Sequence, residues 1–103
     1  MGNMVPVSLR SSEELGHMWE NFVVAERIKR NDYAGRTFVK YYFWRTQHKK
    51  EVDLIEIEDS VMTGYEIKRK EGKRVGAPAS FTAAYPDAHF ECVTQTNLLE
   101  FLM

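Results

Sequence analysis

"KEVDLIEIEDSVMTGYEIKRK", residues 50–70, decides how this chain is read. Two runs of apolar and β-branched residues flank Asp59-Ser60, which makes a hairpin with strands over 51–57 and 62–68. With the turn centred on Asp59 and Ser60, Glu58 pairs with Val61, and stepping outward brings Asp53 opposite Glu66. Strict alternation then places Asp53, Ile55, Ile57, Met62, Gly64, Glu66 and Lys68 on one face, apolar near the turn and charged at the open end. Two carboxylates facing each other at about 5 Å between Cβ atoms repel, so something positive has to hold them. Lys68 supplies part of that charge, and a divalent cation, the usual companion of clustered carboxylate oxygens, supplies more. The plainer alternative is a hydrated hairpin end with Glu66 paired to nearby lysines. Asp59-Ser60 is also a weak turn signal, and a slip of one residue would send the two acids to opposite faces.

Upstream, residues 11–30, "SSEELGHMWENFVVAERIKR", carry Leu15, Met18, Trp19, Phe22 and Val23 at helical spacing. Ser11 and Glu14 form a capping box, and Lys29 and Arg30 suit the helix end before the turn "NDYAG". Glu20 flanks the apolar stripe, where it can point at the sheet edge. Glu26 falls nearer the middle, a costly place for an acid unless it is paired, with Arg45 or a backbone donor as the expected partner. "TFVKYYFWR" (37–45) is the first strand of a meander, and its run Tyr41, Tyr42, Phe43, Trp44 reads as core covered on both faces rather than as a base-stacking surface. Downstream, a short helix from about Pro78 to Tyr85, a strand over 89–94 and a helical turn over 97–102 capped by Asn97 complete the chain. The order αβββαβ with a C-terminal helix makes the class α/β (α+β) with a mixed sheet.

At 103 residues the chain forms one domain, and 44% hydrophobic with 28% charged residues is ordinary for a globular protein. The first residues lack the layout of a signal peptide and no apolar run is long enough to span a bilayer, so a cytoplasmic location is the default. The lone Cys92 sits in an apolar alternation and reads as a buried small hydrophobe. A net charge of -1 means that any nucleic-acid contact must come from a local patch. "KRKEGKR" (68–74) is such a patch, with five of the fourteen Lys and Arg residues. Arg69, Lys70, Lys73 and Arg74, with His48, Lys49 and Lys50 at the other connection, can hold a DNA backbone or simply keep the turns solvated.

Helix-borne Glu20, "VD" at Val52-Asp53 and "EIK" at Glu66-Ile67-Lys68, within an αβββαβ order, resemble the PD-(D/E)XK nuclease superfamily and its restriction-endonuclease-like fold. Val52 stands where that superfamily usually has proline. More narrowly, "LGHMWENFVVAERIKR", "YYFWRTQHKKEVDLIE", "GYEIK" and "SFTAAYPDAHFECVTQTNLLEFL" are similar to the C-terminal domain of unknown function of prokaryotic AAA+ type ATPases, over nearly the whole chain from about Leu9. The resemblance implies a domain cut from a longer protein (11–103), preceded by a loosely held segment (1–10), with the ATPase upstream. The chain itself has no "GxxxxGK[ST]" phosphate loop. By resemblance, Asp53, Glu66 and the Ile67 carbonyl bind Mg²⁺ or Mn²⁺, and Lys68 orients the attacking water. Glu20 completes the shell through water or positions Lys68. Two functions follow: a Mg²⁺-dependent nuclease acting on DNA, with a homodimer the arrangement restriction-type nucleases often adopt, or the same fold kept as a non-catalytic module for docking, dimerisation or nucleic-acid binding.

Overall fold

The computed structural model describes residues 3–7, 18–46, 50–68, 76–94 and 96–103. Five strands form one sheet in the order β1 (Asn3–Pro6), β2 (Lys40–Arg45), β3 (Glu51–Glu58), β4 (Val61–Ile67) and β5 (His89–Val93). The first four are antiparallel neighbours, and β5 runs parallel to β4. A parallel pair needs a crossover, which α2 (Ala79–Ala84) supplies. The expected mixed sheet is therefore present, with one addition. Asn3–Pro6, expected to be loosely held, instead pair with Tyr42–Arg45 as an edge strand.

The sheet buries both faces. On one side α1 (Met18–Tyr33) and α3 (Leu98–Leu102) cover Leu54, Tyr65, Ile67 and Val93 with Val23, Val24 and Phe101. On the other, Phe81 of α2 packs edge-on against Trp44, ring centroids 5.3 Å apart, over Val52 and Ile55. Tyr41 joins the first cluster and Tyr42 the second, so the aromatic run of β2 is core on both faces, as its composition implied. Cys92 is buried, also as expected.

The hairpin turn takes positive φ at both central residues, Asp59 (51°) and Ser60 (67°), the signature of a type I′ turn that matches the twist of its strands. Its register, Glu58 with Val61 through Leu54 with Tyr65, is the expected one. α1 runs three residues past its expected end at Arg30. Gly35 (φ 82°) stops it: the Arg36 N–H bonds the Asn31 carbonyl at 2.8 Å and the Gly35 N–H bonds that of Asp32 at 3.1 Å, the two bonds of a Schellman cap. The capping box at residues 11–14 lies outside the described residues. Asn97 precedes α3 but makes no side-chain cap; its amide turns back to β5, accepting from the Thr94 N–H at 2.7 Å and donating to the Cys92 carbonyl at 3.0 Å.

Candidate functional site

β3 carries one residue too many where it pairs with β2. Tyr42 faces Ile55 and Trp44 faces Val52, so Phe43 alone stands opposite both Asp53 and Leu54. This β-bulge resets the alternation of β3. Val52 and Ile55 both pack against Trp44 and Phe81, while Leu54 packs on the α1 side. The expectation that Asp53 shares a face with Ile55 and Ile57 is thereby corrected, because Val52 occupies that face. The hairpin pattern could not show it, since the extra residue is visible only against β2.

The bulge carries Asp53 to the end of β4. Beyond Leu54–Tyr65, the last pair of the β3–β4 ladder, Asp53 Oδ2 accepts the Ile67 N–H at 2.8 Å. The residue is only 6% exposed, so its carboxylate is taken out of water and given a backbone donor in return. In an extended strand the N–H and C=O of one residue face the same neighbour, which puts the Ile67 carbonyl on the Asp53 side of β4. Glu66 and Lys68, two apart, project together from the half-buried end of the same strand. Glu66 stands beside Cys92 of β5, and the Lys68 N–H bonds the Val93 carbonyl at 2.8 Å, which fixes the backbone on both sides of Ile67.

Asp53, Glu66, Ile67 and Lys68 thus lie at the open end of the hairpin, where Asp53 reaches the Ile67 N–H, while Glu66 and Lys68 alternate with Tyr65 and Ile67 and project from the Phe81 side of β4. Their oxygen donors are of the kind that suits a hard cation such as Mg²⁺. Among the described residues no three His, Cys, Asp or Glu side chains gather around one point. Glu20 lies in the first turns of α1, but its side chain is outside what is described, as are His48, Lys49, Arg69, Lys70, Lys73 and Arg74 altogether. Lys50 is exposed at the start of β3, its N–H bonded to Thr46 Oγ1 at 3.1 Å.

The sequence misplaced the buried charge of α1. Glu26 pairs with its neighbour Lys29 at 3.5 Å on a largely solvated face. Arg27 is the residue that enters the core, 7% exposed, with Nε and Nη2 on the two oxygens of Glu56 at 2.8 and 3.2 Å. Nη1 donates to the Phe101 carbonyl, and the guanidinium carbon lies 4.3 Å from the centre of the Phe101 ring. Fully buried Asn31 donates to Glu56 Oε2 at 3.0 Å and to the Tyr41 hydroxyl at 3.1 Å. Arg36 closes the cluster from outside, bonding Glu58 at 2.7 Å and Asn31 Oδ1 at 3.1 Å. Those contacts with Glu58 raise the Arg36 pKa and hold the Glu58 carboxyl below the usual carboxylate range. Burial pushes the Tyr41 and Tyr65 hydroxyls up, so both stay protonated. These groups satisfy one another, which makes the cluster a clamp between helices and sheet rather than a reaction site. Its signal in the sequence is Arg27 and Asn31 continuing the stripe of Val23 and Val24, with Glu56 interrupting an apolar strand.

No curated protein and no solved structure matches the chain. A family model does match residues 15–100, which takes in every element from α1 to the body of α3. The chain therefore belongs to the family described as Domain of unknown function (DUF4143).

Proposed function

We propose that this domain is a metal-dependent nuclease that hydrolyses DNA phosphodiester bonds at the Asp53–Glu66–Lys68 end of the hairpin, in the service of an AAA+ type ATPase carried upstream. The observation that carries the reading is the bulge that turns the buried Asp53 carboxylate onto the Ile67 N–H, because bulges recur where a strand has to re-aim a side chain at a site. The order α1, three antiparallel strands, crossover helix and parallel fourth strand supports it, being the αβββαβ arrangement of the restriction-endonuclease-like fold. The ATPase partnership rests on the sequence blocks around Trp19, Trp44 and Tyr85.

Asp53, Glu66 and the Ile67 carbonyl would hold Mg²⁺ or Mn²⁺, with Glu20 contributing through water or through Lys68. The cation, when bound, supplies positive charge at the phosphate and an acidified water. The Lys68 ammonium orients the water for attack on phosphorus and stabilises the charge that develops on the phosphoryl oxygens as the P–O bond to the departing strand breaks. Burial of Asp53 keeps competing water from its bonded oxygen.

Titration calorimetry with Mg²⁺ and Mn²⁺ tests the ligands, and plasmid nicking tests the chemistry. Asp53→Ala should abolish the binding heat, and Lys68→Ala should slow nicking by about 10²-fold or more while binding the metal. Identical calorimetric traces for wild type and Asp53→Ala would leave only a docking or nucleic-acid-binding module on this fold.

A further inference from the structure

The end of the sheet away from Asp53 carries features that the candidate site does not use. Lys40, Ile57 and Met62 form one rung across β2, β3 and β4, and Ile57 and Met62 pack in the Phe81 cluster, so the Lys40 side chain lies on that same face. Two strand spacings, about 10 Å, separate it from Met62. Met62 also lines a cleft of about 470 Å³ between the Asp59-Ser60 turn and the end of α2, with Val61, Ala84, Tyr85, Pro86 and Ala88. Exposed Asp87 and His89 complete the lining of this mainly apolar cleft.

At the same end, the connection from α1 to β2 holds two aromatic rings in water. Tyr33 is 97% exposed and Phe38 87%. The connection is anchored: the cap at Gly35 fixes its first half, and Arg36 bonds Glu58, next to the hairpin turn, at 2.7 and 3.1 Å. A ring presented on an anchored loop loses little freedom when it is covered, so most of its burial counts towards binding. The charges here are unmatched as well. Lys40, Asp59 and Asp87 are exposed and make no ion pair among the described residues.

A ring with a lysine two residues on, and a cleft with an aspartate in its lining, therefore share one end of the molecule. A partner of a single charge sign would match one and oppose the other. A second copy turned about a two-fold axis matches both, since each copy offers its ring to the other's cleft and its lysine to the other's aspartate. With a net charge of -1, two copies hardly repel each other.

We infer that this end is a self-association surface, an isologous dimer in which Phe38 of each copy enters the cleft of the other and Lys40 of each faces Asp87 of the other. The inference does not depend on the nuclease reading. About ten residues a side is fewer than the roughly 20–30 of a standard interface, so the dimer should be weak, with a Kd of about 1–100 μM.

Sedimentation velocity of the domain from about 1 to 500 μM tests this. Phe38→Ser, at a solvated position, should raise the Kd at least about tenfold without lowering the melting temperature. Lys40→Glu and Asp87→Lys each set like charges together twice in the dimer, and each should weaken it by about tenfold or more. Mixing those two variants is the deciding measurement. In the mixed dimer both contacts again join opposite charges, so association should return to within about threefold of wild type. A wild-type protein that is still a monomer at about 500 μM would overturn the inference. A dimer indifferent to Phe38→Ser or to either charge reversal would do so as well, and so would reversed variants that fail to associate when mixed.

Discussion

Replacing Glu56 with glutamine is the most searching test of how this fold is held. The side chain is 3% exposed and takes two donors from Arg27 and one from Asn31. Glutamine has almost the same shape, but it leaves the Arg27 cation buried without a counter-charge and sets an NH₂ group against donors. Breaking a buried ion pair on one side costs about 3–5 kcal/mol, out of a total stability of about 5–15 kcal/mol for a domain. At about 4–8 °C per kcal/mol for a chain near this size, the melting temperature should fall by about 12–40 °C. Urea unfolding followed through Trp44, 1% exposed in the core, reports the loss directly. The partner measurement is a double-mutant cycle with Arg27→Met and Glu56→Met. If the pair works as described, the double variant should be more stable than the sum of the singles predicts, by about 2 kcal/mol or more. A loss under about 1 kcal/mol for Glu56→Gln, or additive single changes, would refute the buried-clamp argument.

Two further outcomes follow from the packing and the surface. A Cβ on Gly64 would meet Val52 Cγ1 at 3.1 Å and Phe81 Cζ at 3.3 Å, so Gly64→Ala should cost about 1–3 kcal/mol by overpacking; a neutral urea midpoint would mean that α2 yields easily. Glu58, held below the usual range by its hydrogen bonds to Arg36, contributes stability that is present above its unfolded pKa and lost as pH falls through the lower folded one. Wild type should therefore lose more melting temperature than Glu58→Gln on acidification below about pH 5, and parallel curves would contradict that.

The element order was legible because each segment has one strong local signal: the aromatic density of 37–45, the alternation on either side of Asp59-Ser60, and the helical spacing that includes Trp19 and Val23. The hairpin register followed from the same alternation and is the one observed from Glu58–Val61 to Leu54–Tyr65, while the expected Asp53–Glu66 pair is not part of the ladder. The direction of Asp53 did not follow, because a bulge is a relation between β3 and β2 and leaves no mark in β3 alone. Arg27 escaped for a similar reason. Helical periodicity gives the stripe a width but not a phase, and a rotation of about 100° separates Glu26 in water from Arg27 in the core. Gly35 could have been read as the stop of α1, since glycine just past a helical run is the commonest terminator. Asp53 does touch the EIK segment, but through the Ile67 N–H, a backbone contact that the side-chain pattern does not reveal.

Asn97 gives the sheet a finished border. By occupying the outward carbonyl of Cys92 and amide of Thr94, one side chain does there what a sixth strand would do, over a single rung. An extended peptide sliding up to β5 would find the bonds of that rung already taken and would have to displace an amide tethered by its own chain. Growth of the sheet into fibres from that border is discouraged by a residue that looked, on first reading, like nothing more than a helix start.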